Sequence, residues 1–81
     1  MTRAGVFIVK GGNVLCCYRN GDGYPAGLGC ELITCLDFDN FDLLSLLLKC
    51  NLQTMDSIPG DIEYKYIIDL NKRTFTIESL N

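Results

Sequence analysis

The side chains best suited to binding chemistry are concentrated in residues 18–29, which read Tyr-Arg-Asn-Gly-Asp-Gly-Tyr-Pro-Ala-Gly-Leu-Gly. A strand-like apolar segment precedes this glycine-rich stretch, and a helical pattern follows it. Such a junction collects unpaired backbone N–H groups at the start of a helix, and these groups bind anions. The sequence therefore predicts a site for a nucleotide-like anion with the following ligand-binding residues: Tyr18, Arg19, Asp22, Gly23, Tyr24, Gly27 and Gly29.

Each residue type in this stretch has a role in that prediction. Arg19 would neutralise a phosphate, and Gly27 and Gly29 would let the ligand approach the backbone closely. Tyr24 would stack on a base, a contact worth about 1–3 kcal/mol. The spacing matches neither the phosphate-binding loop that ends in Gly-Lys-Ser/Thr nor the dinucleotide fingerprint. A structural alternative stays open, in which Arg19 pairs with Asp22 across the turn, Asp22 caps local N–H groups and the tyrosines complete the core. In that alternative a packed strand, and not a ligand, approaches Gly27 and Gly29 closely.

The residue inventory argues against catalysis and metal binding. Histidine is absent, so the commonest general base is missing. The five cysteines include no Cys-x-x-Cys pair, and the neighbours Cys16 and Cys17 point to opposite faces of a strand. We therefore expect no metal, no cofactor and no catalytic residue. A binding protein is favoured over an enzyme, with hydrolysis of a bound nucleotide left open.

Composition and charge place the chain among small globular proteins. Its 81 residues suffice for a single domain, residues 1–81, and 48% of them are hydrophobic. A net charge of −3 argues against binding to a nucleic-acid polymer. An odd number of cysteines with no signal peptide indicates reduced thiols and a cytoplasmic location, the host cytoplasm if the protein is viral. No apolar run is long enough to cross a bilayer, so no membrane partner is expected.

The pattern of apolar residues predicts an α+β domain. Residues 5–10 and 13–19 are expected to form a β-hairpin around Gly11-Gly12, followed by a first helix over residues 27–36. A second helix over residues 41–50 is expected to start from Asp39 or Asn40 as its N-cap. Residues 62–70 and 74–80 predict a second hairpin, with Phe75 and Ile77 facing inward. This ββ-αα-ββ order predicts a four-stranded antiparallel sheet with the helices packed on one face.

The second helix carries more leucine than one buried face requires. Only Asp42, Ser45 and Lys49 interrupt its apolar surface, and they form one narrow polar stripe. The surplus apolar area predicts a homo-oligomer or a groove for a protein partner.

The glycine-rich stretch also resembles a motif of a known family. The family's strand ends in Tyr-Arg-His-Trp/Tyr-Asp-Gly-Tyr-Pro, and spaced glycines then open a helix. The matching residues are Tyr18, Arg19, Asp22, Gly23, Tyr24, Pro25, Gly27 and Gly29. Asn20 and Gly21 stand where the family has histidine and an aromatic residue. On this motif the chain resembles a family of small uncharacterised phage and bacterial proteins.

The resemblance implies a counter-defence protein that acts against bacterial immunity. One mode is a cyclic-nucleotide sponge, which sequesters the anionic messenger of a defence system at residues 18–29. The alternative is direct inhibition of a host defence effector through the leucine-rich helix and an acidic surface. The acidic residues in that alternative are Asp37, Asp39 and Asp42.

Overall fold

The structure, a computed structural model, describes residues 1–80 and contains five strands and two α-helices. The strands are β1 (Ala4–Lys10), β2 (Asn13–Arg19), β3 (Gln53–Met55), β4 (Tyr64–Asp69) and β5 (Thr74–Ser79). A wide helical turn at Pro25–Gly29 runs into α1 (Cys30–Cys35), and α2 spans Leu43–Lys49. Within residues 1–80, no helix has the length and apolar character needed to cross a bilayer.

The strands form one mixed sheet in the order β3-β2-β1-β4-β5. The central pair β1 and β4 is parallel, whereas the other three pairs are antiparallel. The α+β class is therefore confirmed, but the prediction of a four-stranded antiparallel sheet is wrong. A parallel pair needs a long crossover connection, and the helices and β3 supply it between β2 and β4.

Both predicted hairpins are present. β1 pairs with β2 from Lys10↔Asn13 onward, and Gly11 turns the chain with a φ of 61°. The second hairpin pairs Asp69 with Thr74. The Asn71 side chain joins the two turns, because it accepts from the Gly11 N–H at 2.9 Å and donates to the Gly11 carbonyl at 3.0 Å.

The core lies between one face of the sheet and the helices. Alternate strand residues supply the sheet side, and four residues from the helical half complete it. The buried set is Ala4, Val6, Ile8, Cys17, Leu28, Leu32, Leu46, Cys50, Tyr66 and Ile68. This arrangement confirms the prediction that the helices pack on one face of the sheet.

The helix ends differ from the sequence expectation for local reasons. The second helix starts at Leu43 because the Asp42 carboxylate accepts from the Ser45 N–H at 3.2 Å, so the N-cap is neither Asp39 nor Asn40. Those two residues instead donate their backbone N–H groups to Asp37. The first helix is regular only from residue 30, and the turn before it is wider.

The burial expected for Ile77, on the edge strand β5, is not observed. Phe75 is half-buried against the core, as expected, but Ile77 is 40% exposed. Both side chains point to the helix side of the sheet, since they are two residues apart on β5. Ile77 lies too close to the outer edge for the helices to cover it.

Candidate functional site

The glycine-rich junction begins where β2 ends. Tyr18 and Arg19 are the last residues of β2, and the chain then turns through Asp22, whose φ is 52°. The backbone N–H groups of this junction are largely used within the chain. The Gly23 N–H donates to the Thr2 carbonyl at 2.9 Å, and the Gly27 N–H donates to the Tyr24 carbonyl at 2.9 Å.

Two of the predicted glycines are required by close contact between chain segments. A Cβ at Gly23 would lie 2.7 Å from the Ala4 Cβ and 2.9 Å from the Thr2 carbonyl oxygen. A Cβ at Gly27 would lie 2.6 Å from the Asp22 carbonyl oxygen. Close approach of the chain itself, which was one of the two reasons expected for Gly27 and Gly29, accounts for Gly27. The same reason accounts for Gly23, for which no such expectation followed from the sequence.

The Arg19 side chain forms hydrogen bonds to three separate parts of the fold. Its side chain is 12% exposed, and Nε donates to the Gly21 carbonyl at 2.9 Å. Nη1 donates to Oε1 of Glu31 at 2.9 Å and to the Cys50 carbonyl at 3.0 Å. The hydrogen bond to Glu31 raises the pKa of Arg19 above its ordinary value. Arg19 therefore links the junction to α1 and to the C-terminal end of α2.

The sequence foresaw an ion pair for Arg19 but named the wrong carboxylate. The partner is Glu31, in the first turn of α1, and not Asp22. No local sequence signal distinguished Glu31 from Asp22, because the choice depends on how α1 returns to the sheet.

Tyr66 completes the junction from β4. Its hydroxyl donates to the Gly23 carbonyl at 2.6 Å, and its side chain is fully buried. Burial raises the pKa of Tyr66 to about 12, so the hydroxyl stays a donor at neutral pH. A Cβ at Gly29 would lie 3.4 Å from the Tyr66 ring, which places Gly29 beside the same side chain. The alternation of residues 62–70 puts Tyr66 on the same face as Ile68, but nothing in that pattern indicates the polar role of the Tyr66 hydroxyl.

A second guanidinium, which sequence reasoning did not single out, lies at the same junction. Arg3 Nε donates to the Asn20 side-chain oxygen at 3.1 Å, and the Tyr18 hydroxyl donates to the same oxygen at 3.4 Å. Arg3 Nη1 is also 3.3 Å from the Asp61 carboxylate. Tyr24 is 41% exposed. The accessible groups of the junction are thus Arg3, the Asp22 carboxylate and the tyrosines, whereas Arg19 is mostly enclosed.

The cysteine thiols are free and differ in burial. Cys17 and Cys50 are buried, and burial raises the pKa of Cys17 to about 11 and that of Cys50 to about 12. Both thiols are therefore protonated at neutral pH. Among residues 1–80, no group of three or more Cys, Asp or Glu side chains is placed to hold a metal ion.

The three acidic residues of the predicted surface are partly used within the fold. Asp37 and Asp42 accept backbone N–H groups, as described above, and Asp39 forms an exposed ion pair with Arg73.

Comparison of the chain with protein-family models, with curated proteins and with solved structures found no match.

Proposed function

We propose that this chain is a protein-binding module that inhibits a host defence effector, and that it binds through α2. The observation that carries this proposal is the exposure of two leucines one helical turn apart, Leu44 at 66% and Leu48 at 73%. They line a shallow depression together with Asp42, Ser45 and Lys49. We call these five residues the helical patch.

The helical patch has the composition of a recognition surface. Side chains at positions i and i+4 lie on the same face of a helix, which is the spacing used by helices that dock into apolar grooves. Complete burial of one leucine contributes about 1.5–3 kcal/mol, so the pair offers a partner a substantial part of its binding energy. Neither leucine belongs to the buried core, so both remain available to a partner.

The acidic residues contribute less to this proposal than the leucines. Asp42 is occupied as the N-cap of α2, and Asp37 is occupied by its turn. Asp39 is 82% exposed, and its ion pair with Arg73 costs little to open, since exposed pairs are worth about 0–1 kcal/mol. Asp39 can therefore turn to a basic group on a partner. The assignment to counter-defence rests on the motif of residues 18–29 alone.

The experiment substitutes both leucines of the helical patch with lysine. The chain is expressed in bacteria that carry a defence system, and phage plating efficiency is measured. We expect Leu44→Lys/Leu48→Lys to abolish protection of the phage while the circular dichroism spectrum stays unchanged, because both side chains are exposed. Val14→Lys is the matched control, since Val14 is 55% exposed on β2, away from the helices. Full protection by the double variant would contradict the proposal.

A second candidate is the messenger sponge, in which residues 18–29 bind a nucleotide-like anion. The specific observation in its favour is the second guanidinium, Arg3, beside the junction. Arg3 is 39% exposed and its partner Asp61 is 52% exposed, so this pair opens at little cost. Tyr24 offers an exposed ring for stacking. Arg19 contributes mainly as a fixed positive charge behind the site, because its side chain is 12% exposed and three of its five N–H donors already bond to Gly21, Glu31 and Cys50.

Calorimetric titration with a panel of cyclic nucleotides tests this candidate. We expect Arg3→Ala to weaken binding about 10- to 150-fold, because loss of a hydrogen bond to a charged group costs about 1.5–3 kcal/mol. Lys10→Ala removes the same charge at the hairpin turn and should leave the affinity unchanged. An absence of heat across the panel, or an Arg3→Ala affinity equal to that of the wild type, would contradict the messenger sponge. The protein-binding module would then be the remaining candidate.

A further inference from the structure

We propose that a second copy of this chain pairs with the free edge of β5, which joins two sheets into one continuous ten-stranded sheet. β5 is the last strand of the sheet, and it spans Thr74–Ser79. Five of its six residues are exposed. The inference is independent of the proposed function, because the helical patch lies on another part of the surface.

The composition of β5 lacks the usual protection of an edge strand. Natural edges carry lysine, proline or a bulge, or are kept short, because unpaired N–H and C=O groups invite another strand. The sequence Thr-Phe-Thr-Ile-Glu-Ser contains no lysine and no proline, has Glu78 as its single charged residue, and is rich in β-forming residues. The opposite edge, β3, has only three residues and is thereby protected by its length.

The direction of the backbone groups identifies which residues of β5 are free. The Leu80 N–H donates to the Glu63 carbonyl at 2.8 Å, so the backbone of residue 80 points toward β4. Bonding alternates along an antiparallel pair. Residues 74, 76 and 78 therefore also bond to β4, and the N–H and C=O groups of Phe75, Ile77 and Ser79 point outward.

These outward groups are self-complementary around Ile77. In an antiparallel pair with a two-fold axis at Ile77, Ile77 lies opposite its own copy and Phe75 lies opposite Ser79. This register forms about six backbone hydrogen bonds. The 40% of Ile77 that is exposed would be covered by the same residue of the second chain.

The charges and the chain geometry support this register. Glu78 would lie opposite Thr76, so no like charges face each other. A register centred on Thr76 would need residue 73 to be extended in order to pair with residue 79. Arg73 has a φ of 59°, which is incompatible with a strand. That register would form only about four hydrogen bonds.

Sedimentation and hydrogen exchange of the full chain test the proposal. We expect the wild-type protein to sediment at twice the chain mass of 9.0 kDa. Ile77→Lys should sediment as a folded monomer, because it places two like charges on the two-fold axis. Val14→Lys, the same change at an exposed valine of β2, should remain a dimer.

Amide exchange distinguishes this edge from other contacts. We expect the amides of residues 75, 77 and 79 to be protected in the wild type and to exchange quickly in Ile77→Lys. Three outcomes would overturn the proposal: a wild-type monomer, a dimeric Ile77→Lys, or a dimer that Leu44→Lys/Leu48→Lys dissociates. Rapid exchange of the Ile77 amide within a wild-type dimer would also overturn it.

Discussion

Gly23→Ala is expected to lower the free energy of unfolding by about 3 kcal/mol or more. The added methyl group would lie 2.7 Å from the Ala4 Cβ and 2.9 Å from the Thr2 carbonyl oxygen, and a backbone atom cannot move aside as a flexible side chain does. Relief of the clash would also disturb two hydrogen bonds of Gly23, one from its N–H to Thr2 and one from Tyr66 to its carbonyl. The measurement is urea denaturation followed by circular dichroism.

The matched control for this substitution is Gly60→Ala. A Cβ at Gly60 would have no atom within 4 Å, so its effect should stay within about 0.5 kcal/mol. Equal stability of the two alanine variants would show that the junction is not packed as described. Tyr66→Phe offers an independent check, since loss of its buried hydrogen bond should cost about 1–2 kcal/mol without any clash.

Arg19→Met should cost about 3 kcal/mol, although the methionine keeps most of the apolar stem. The substitution removes the donors to Gly21, Glu31 and Cys50 together, and it leaves carbonyl groups near the core without partners. Glu31 is 41% exposed and can be rehydrated, which keeps the cost below that of a fully buried pair. Chemical denaturation again gives the measurement.

Arg73→Met is the control for this prediction. Arg73 also forms one ion pair, with Asp39, but both side chains are more than half exposed. We expect a loss of less than about 1 kcal/mol, because exposed pairs contribute little. Similar losses of stability in both variants would mean that the hydrogen bonds of Arg19 to Gly21, Glu31 and Cys50 stabilise the fold no more than an exposed ion pair does. The comparison also shows why Arg3 is the better probe of anion binding, since an Arg19 variant confounds ligand affinity with stability.

The hairpins and the class of the fold were predictable from local pattern. The alternation of apolar and polar residues in 62–70 specifies a strand, and the Gly11-Gly12 pair specifies a turn. Both signals come from residues that are close in sequence. The neighbour of β1 was not predictable, because alternation shows which face of a strand is buried and not which strand lies beside it or in which direction. β3 was missed since three residues are too few to show a period.

The sequence indicated that residues 18–29 are packed in an unusual way, but it did not indicate which residues they contact. The glycines indicate that residues 18–29 include positions where a side chain would not fit. At Gly23 and Gly27 the structure shows that a Cβ would clash with neighbouring atoms. Glycine does not reveal what occupies the neighbouring space, and here Ala4, Thr2 and Tyr66 do so. Their distance along the sequence explains why no local pattern pointed to them. The Arg19 partner was missed for a related reason, since the choice between Asp22 and Glu31 depends on how the helix returns to the sheet.

The parallel pairing of β1 and β4 has a consequence for synthesis on the ribosome. β1 can pair with β2 as soon as the two strands have been translated, but its other edge pairs with Tyr64–Asp69. The middle strand of the finished sheet is therefore half unpaired until most of the chain has been translated. A nascent chain that stalls before residue 64 leaves β1, with Val6 and Ile8, without its parallel neighbour, so this strand stays open to chaperones and proteases until β4 has been translated.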